Sequence, residues 1–337
     1  MPRKVFQSLI DSILDDIASS FQDGARYRSL REISARFGVS LQTAQRVVKE
    51  IAARGILSVH ERSGIRVQAV GNRTSLEGRA VMVVSANADP RFNDAFLHGI
   101  REICGPLGMD ASLFSVRNQN AESLEFAEDV LARAEESRAI GIIALAFRGA
   151  DLPFYHLMNR GQLIISDVES HRLPLLPSVQ TNNRRHAAEA AREFAANGKR
   201  NVLLAGYWPP GNTRHATFVE TFTATVPGAT CRYVHLADDL AIADLYTFFN
   251  GFSARDAVFA IDYAANHVVA PYFLSHRVPT ADSLMVYDSE LDTFTYRGLP
   301  PIRAAAPSLA ALGHRLAERL VDRFRSGAWA EPLHELV

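Results

Sequence analysis

Cysteine is nearly absent from this chain: Cys104 and Cys231 are the only two in 337 residues. Two cysteines cannot build a disulfide framework, and this pair lacks metal-ligand spacing. Lysine is scarce too, with Lys4, Lys49 and Lys199 alone among the 36 basic residues. No apolar run reaches the roughly 18 residues that a membrane helix requires. Near the N-terminus the apolar pattern is broken by Asp11, Asp15 and Asp16, whereas a secretory leader is an unbroken apolar stretch. The expectation is a cytoplasmic chain with no membrane partner. Catalytic signatures are missing as well: no phosphate-binding GxxxxGK loop, GxGxxG, HExxH or GxSxG occurs. The eleven histidines are scattered, and Lys199 lies in a Gly-Lys-Arg turn ill suited to a buried Schiff base. No metal, no cofactor and no catalysis are expected.

What is present is apolar material, 47% of the residues, enough for well-packed cores, of which this length favours two or three. The formal charge of −1 conceals an asymmetry. Residues 1–75 carry twelve Lys or Arg against seven Asp or Glu, while the remainder carries 24 against 30. A basic module ahead of a mildly acidic body points to a polyanionic partner for the first part alone.

Val5, Phe6, Leu9, Ile10, Ile13, Leu14 and Ile17 recur at the spacing of an amphipathic helix, which Gly24 closes. A second helix is predicted over 30–37, with Ile33 and Phe37 inward. Gly38-Val39-Ser40 then makes a turn, in which Gly38 takes positive φ and Ser40 caps the next helix. That third helix, about 41–54, buries Ala44, Val47, Val48 and Ile51 and turns Gln42, Gln45, Arg46 and Lys49 outward, ending at Gly55. Two helices joined by a short Gly-containing turn form a helix-turn-helix, whose second helix is sized for the DNA major groove. Residues 56–60 and 65–68 read as a β-hairpin wing around Glu61-Arg62-Ser63-Gly64.

Ser29-x-Arg31-Glu32-Ile33, Phe37-Gly38-Val39-Ser40-x-x-Thr43, Gly55-Ile56-Leu57 and Ser63-Gly64-Ile65-Arg66-Val67, in that order, resemble the GntR-family winged helix. The resemblance implies double-stranded operator DNA as partner, read by the recognition-helix N-terminus and the wing tip. It puts Leu41, Gln42, Thr43 and Gln45 at base edges, Arg46 and Lys49 nearer phosphates, and Arg62 at the wing, with Ser29, Arg31, Ser63 and Gly64 in the same interface. Ser29 and Thr43 are equally suited to capping. Leu41 and Gln45 stand where the family commonly has arginine, so an altered operator is implied, with Gln suited to an adenine edge and Leu to a thymine methyl.

The polar stretch 71–78 reads as a linker between a DNA-binding domain, 1–70, and a larger domain, 79–337. Beyond it, apolar strands are expected at 81–84, 111–115, 140–146, 163–166, 201–205, 257–261 and 284–286. Helices at 95–107, 122–138, 152–160, 184–197, 214–224, 240–250 and 263–274 alternate with them. Strands without polar alternation, separated by helices, indicate α/β architecture with parallel sheets covered on both faces. A stretch of this length normally forms two doubly wound lobes, with ligands at the carboxyl ends of the strands.

Asp89-Pro90-x-Phe92, Gly99-Ile100, Asn182-Asn183-x-x-His186-Ala187, Gly198-x-Arg200-Asn201-Val202, Val258-Phe259-Ala260-Ile261-Asp262, Val286-Tyr287-Asp288 and Leu312-Gly313 resemble the effector domain of LacI-type repressors, which has the periplasmic sugar-binding fold. The family usually has Asp and Gly where Asn182 and His186 sit. The resemblance implies one lobe from 79–177 plus 289–325, the other from 178–288 plus 326–337, and a cleft between them. It places Arg214 at the family's effector-binding arginine. Asp262 and Asp167 follow apolar strands and would face the cleft, the alternatives being a helix N-cap and a loop hydrogen bond. Asp89, Phe92 and Asn93 lie in the first cleft loop, where Asp89 also suits a turn. Arg148 follows a strand, and Trp208 sits in a cleft-side loop or in core. The expected function is a homodimeric transcription regulator, a repressor of carbohydrate utilisation, with a small-molecule effector, a sugar, between its lobes. The alternatives are a regulator sensing another polar metabolite such as a purine, a cytoplasmic sugar-binding protein, or an enzyme.

Overall fold

The computed structural model describes residues 6, 9–10, 12–14, 16–17, 21, 25–53, 56–60, 64–67, 76–116, 123–147, 151–168, 173–290, 299–300 and 302–337. Residues 9–10, 12–14 and 16–17 are helical. Leu9, Ile10, Ile13 and Ile17 pack against Tyr27, Ile33, Val47, Ile51, Leu57 and Ile65 in a single small core. Helix α1, Leu30–Phe37, starts at Ser29, whose hydroxyl accepts from the Glu32 amide while the Glu32 carboxylate accepts from the Ser29 amide. This capping box satisfies two amides that a helix start leaves open. Gly38 ends α1 at φ 64°, a left-handed conformation that suits glycine. Helix α2, Leu41–Ala53, comes next, and strands β1, Leu57–His60, and β2, Gly64–Val67, form an antiparallel hairpin. Most of the expected linker, residues 71–75, lies outside the described residues.

The rest of the chain builds two parallel sheets. The first contains β3 (Ala80–Ser85), β4 (Asp110–Ser115), β5 (Ala139–Leu145), β6 (Ile164–Ser166), β7 (Ser178–Gln180) and β13 (His334–Leu336), in the order β13-β7-β6-β5-β3-β4. The second contains β8 (Asn201–Gly206), β9 (Thr230–His235), β10 (Asp256–Ala260), β11 (Leu284–Val286) and β12 (Arg303–Ala304), in the order β12-β11-β10-β8-β9. Both central regions are apolar on two faces, and alternate residues serve opposite cores. Val81 and Val83 pack under α3 (Pro90–Cys104) and α10 (Leu309–Ser326), whereas Met82 and Val84 pack under α4 (Leu124–Glu136) and α5 (Asp151–Asn159). In the second sheet Leu203 and Val258 face α8 (Ala241–Asn250) and α9 (Tyr263–Ser275). Val202 and Phe259 face α6 (Asn183–Ala196) and α7 (Thr213–Thr225). The period of two in a strand makes this two-sided burial possible.

Helices α3 and α10 approach to backbone contact. A side-chain carbon on Gly99 would lie 1.8 Å from the Ala310 carbonyl oxygen, and one on Gly313 would lie 2.3 Å from that of Phe96. Neither position accepts any larger residue.

Three expectations need correction. Strands β7 and β13 belong to the first sheet and β12 to the second, so the lobes do not divide at 178, 289 and 326. The tail stays with the first lobe because buried Arg319 on α10 donates to the Ala330 and Pro332 carbonyls and to Glu335. Helix α3 begins at Pro90, not Ala95, because Asp89 caps it and proline is well suited to a first helical position. The long helix α10 and the edge strand β9 were not among the expected elements.

Candidate functional site

Two surfaces carry the predicted residues. On the N-terminal module, α2 exposes Leu41, Gln42, Gln45, Arg46 and Lys49, and Arg31 is exposed on α1. Thr43 is half-buried; its amide donates to Ser40 Oγ at 3.2 Å and the two hydroxyls lie 2.9 Å apart. Ser29 is likewise engaged in its cap. The Arg46 guanidinium lies over the Phe6 ring, 5.5 Å from its centre. Gly64 opens β2 at φ 80°. Arg62 and Ser63 lie outside the described residues. Behind this surface, Asp16 accepts from Tyr27, from Arg28 at 2.9 Å and, across an ion pair of 2.7 Å, meets Arg36. The Arg28 hydrogen bond, outweighing burial, holds the Asp16 carboxyl below its usual range.

The second surface lies where the carboxyl ends of the two sheets meet. Arg214, in the first turn of α7, donates from Nε to Asn183 Oδ1 at 3.0 Å and from Nη1 to the Ile261 carbonyl at 2.9 Å. The same Nη1 is 3.1 Å from Asp288 Oδ2, and the guanidinium stacks on Tyr287, 3.9 Å from the ring centre. Tyr287 in turn donates to Asn183 Oδ1. Residues that follow three strands, β7, β10 and β11, thus converge on one arginine. Burial pushes the Asp288 carboxyl above its usual range, against the pull of Arg214. Its Oδ1 has no partner among the described residues, and neither does Oδ1 of Asn266, whose amide nitrogen donates to the Asp288 carbonyl at 3.2 Å. Between the lobes, Tyr263 on α9 donates to Asp89 Oδ2 at 2.8 Å and its ring lies 6.0 Å from that of Phe92. His267 meets Glu290 at 2.5 Å.

The other predicted cleft residues have mostly backbone or packing partners. Asp262 is buried, and both of its oxygens accept from backbone amides, those of Tyr207 and Ala265, so it caps α9. Burial raises its carboxyl above the ordinary range. Asp89 caps α3 and pairs with Arg91; burial raises its carboxyl, but hydrogen bonds from Arg91 and Tyr263 more than offset this. Asp167 accepts from the Ala146 amide at 2.8 Å. Phe92 packs on Phe96, and Asn93 donates to the Asn87 carbonyl. Trp208 is 38% exposed on a loop whose carbonyls at 207 and 208 are held by His235 and Tyr233. Arg148 lies outside the described residues. Sequence reasoning overlooked Asn183, Tyr287 and Asp288 as site residues. Asp288 was within its reach, since it follows an apolar strand just as Asp262 does.

No family model and no curated protein sequence matches this chain. Solved structures do. A LacI transcriptional regulator from Lactobacillus brevis aligns with TM-score 0.59 at 16% identity, covering 77% of this chain and 98% of its own. A solute-binding protein from Burkholderia graminis, solved with D-arabinose, gives TM-score 0.56 at 17% identity over 77% and 93%. The transcription regulator CcpA of Lactococcus lactis gives 0.52 at 13% over 77% and 96%. The two-sheet body therefore has the fold shared by LacI-type effector domains and periplasmic sugar-binding proteins. No described helix is long and apolar enough to cross a membrane.

Proposed function

We propose that this chain is a transcription regulator, in which a GntR-type winged helix binds operator DNA and a LacI-type domain binds a sugar between its lobes. One observation carries this reading: a buried, incompletely satisfied Arg214–Asp288 site lies at the carboxyl ends of the second parallel sheet, beside the Tyr263–Asp89 contact between the lobes, in the same chain as two helices and a hairpin with a polar, basic outer face. Sugars present paired hydroxyls that both donate and accept, and the cleft offers both partners. The unpartnered oxygens of Asp288 and Asn266 accept; the Arg214 guanidinium donates. The solved regulators and the D-arabinose complex of the same fold support the assignment by likeness. On this proposal the protein is a cytoplasmic homodimer without enzymatic activity. It presents two recognition helices to a two-fold site, and it acts as a repressor whose hold on DNA the sugar changes. The effector shifts DNA affinity by no more than its differential affinity for the two lobe arrangements.

The test is a thermal-shift screen against pentoses, hexoses, disaccharides, sugar phosphates and nucleobases. Saturation at about 100 times the dissociation constant adds roughly 2.7 kcal/mol. A shift with an uncharged sugar supports the assignment; a shift confined to nucleobases replaces the sugar with a purine, and no shift from any of them removes the effector role from the cleft.

A further inference from the structure

The hairpin of the N-terminal module is bridged on its β2 edge by residues 25–27. The Tyr27 amide donates to the Ile65 carbonyl and the Val67 amide to the Ala25 carbonyl, each at 2.8 Å, with Arg26 directly opposite Arg66 in antiparallel register. Strand β2 therefore lies between β1 and residues 25–27. Along β2 the buried Ile65 and Val67 flank exposed Arg66, so Arg66 and its cross-strand partner Arg26 stand side by side on the outer face.

The fate of the neighbouring cations sets Arg26 apart. The buried Asp16 carboxylate pairs with half-buried Arg28 and exposed Arg36. Arg46 lies against Phe6. Arg26 is exposed and makes no ion pair among the described residues. It attracts the Glu32 carboxylate, whose oxygen already serves the Ser29 amide. The Arg26 side chain runs along the sheet to Gly64. A side-chain carbon there would sit 3.5 Å from Arg26 Nε and 3.7 Å from Nη2. These are ordinary contact distances, so the guanidinium lies against the backbone beside the turn of the hairpin.

Building on the DNA-binding role proposed above, we infer that Arg26, lying beside Gly64 and opposite Arg66, is a phosphate-contacting residue at the edge of the wing. The hairpin with the bridged segment 25–27 then presents a basic outer face that tracks the DNA backbone, while the exposed side chains of α2 address base edges. A backbone contact of this kind adds affinity without sequence preference and steepens salt dependence.

The experiment is fluorescence anisotropy of the full chain on a labelled mixed-sequence duplex, titrated at several potassium chloride concentrations. The proteins compared are wild type, Arg26→Ala, Arg26→Lys and Lys49→Ala, each with its melting temperature. Arg26→Ala is expected to bind several-fold more weakly, with the slope of log K against log salt reduced by about 0.9 per protomer. Arg26→Lys keeps the slope, because it keeps the charge. If Arg26→Ala binds like wild type while Lys49→Ala weakens binding, the Arg26 assignment is overturned and DNA binding stands. If Arg26→Lys loses as much slope as Arg26→Ala, the side chain supports the wing structurally and the phosphate contact is refuted. If wild type itself shows no salt-dependent binding, the DNA-binding role falls, and Arg26 with it.

Discussion

Each half of this molecule holds a buried aspartate against arginine, and the two are treated in opposite ways. In the N-terminal module Asp16 has both oxygens engaged, by Tyr27, Arg28 and Arg36, and its acidity is increased. Beyond the end of β11, Asp288 has one oxygen on Arg214 and the other without a partner among the described residues, and its acidity is decreased by burial. A fully partnered carboxylate stabilises the state in which it is found. A buried one with an open lone pair is costly unless something else completes it. The first arrangement is that of a structural tie; the second fits the sugar site proposed above.

Variants at the two aspartates and their partners put this contrast to the test. The largest effect is expected for Asp16→Ala, which removes the anchor of three side chains and should cost the N-terminal module about 2–3 kcal/mol. Calorimetry of the full chain reads this, and a loss below about 0.5 kcal/mol would deny the tie. Next, Arg214→Ala should weaken the binding of whichever sugar the screen identifies by about 2 kcal/mol, some thirtyfold. Its DNA affinity should match wild type. An unchanged sugar affinity in isothermal titration would sink the site.

The two carboxylates also respond to pH with opposite sign. Asp16, lowered in the folded state, contributes stability that is complete above its ordinary range and is lost as pH falls through its folded value. Asp288, raised, costs stability as pH climbs from about 4 toward its folded value. Melting curves should therefore show Asp16→Asn flattening the acid decline below about pH 4. Asp288→Asn should flatten the opposing rise that wild type gains on acidification; identical pH profiles for both variants would contradict the contrast. The smallest effect is expected for Tyr263→Phe, which removes one hydrogen bond between the lobes, worth about 1 kcal/mol. Its signature is a changed sugar affinity with unaltered DNA binding at zero sugar, read by titration.

Much of this was legible in the chain itself, for identifiable reasons. The stripe Ala44, Val47, Val48 and Ile51, the capping pair Ser29 and Glu32, and Gly38 at a left-handed turn are local signals, and each lies where its periodicity or its cap requires. The central strands announce themselves because burial on both faces leaves no polar alternation. Strand β9, at an edge, is largely exposed and mixed in polarity, and β7, β12 and β13 are three residues or fewer. Such segments carry too little pattern to stand out from loops.

Local pattern alone dictates most of the succession of elements: two helices and a hairpin in a basic module, then alternating strands and helices whose apolar faces demand covered parallel sheets. Sheet membership is a matter of packing in three dimensions, because strands β7 and β13 are brought together across more than 150 residues by hydrogen bonds that no local pattern encodes. Packing likewise sorts the charges of the N-terminal module. Arg26, Arg28 and Arg36 are alike in composition, yet Asp16 is buried against two of them and the third is left exposed beside a glycine. Ionic partnerships depend on distance in space, and the order of residues in a chain does not supply it.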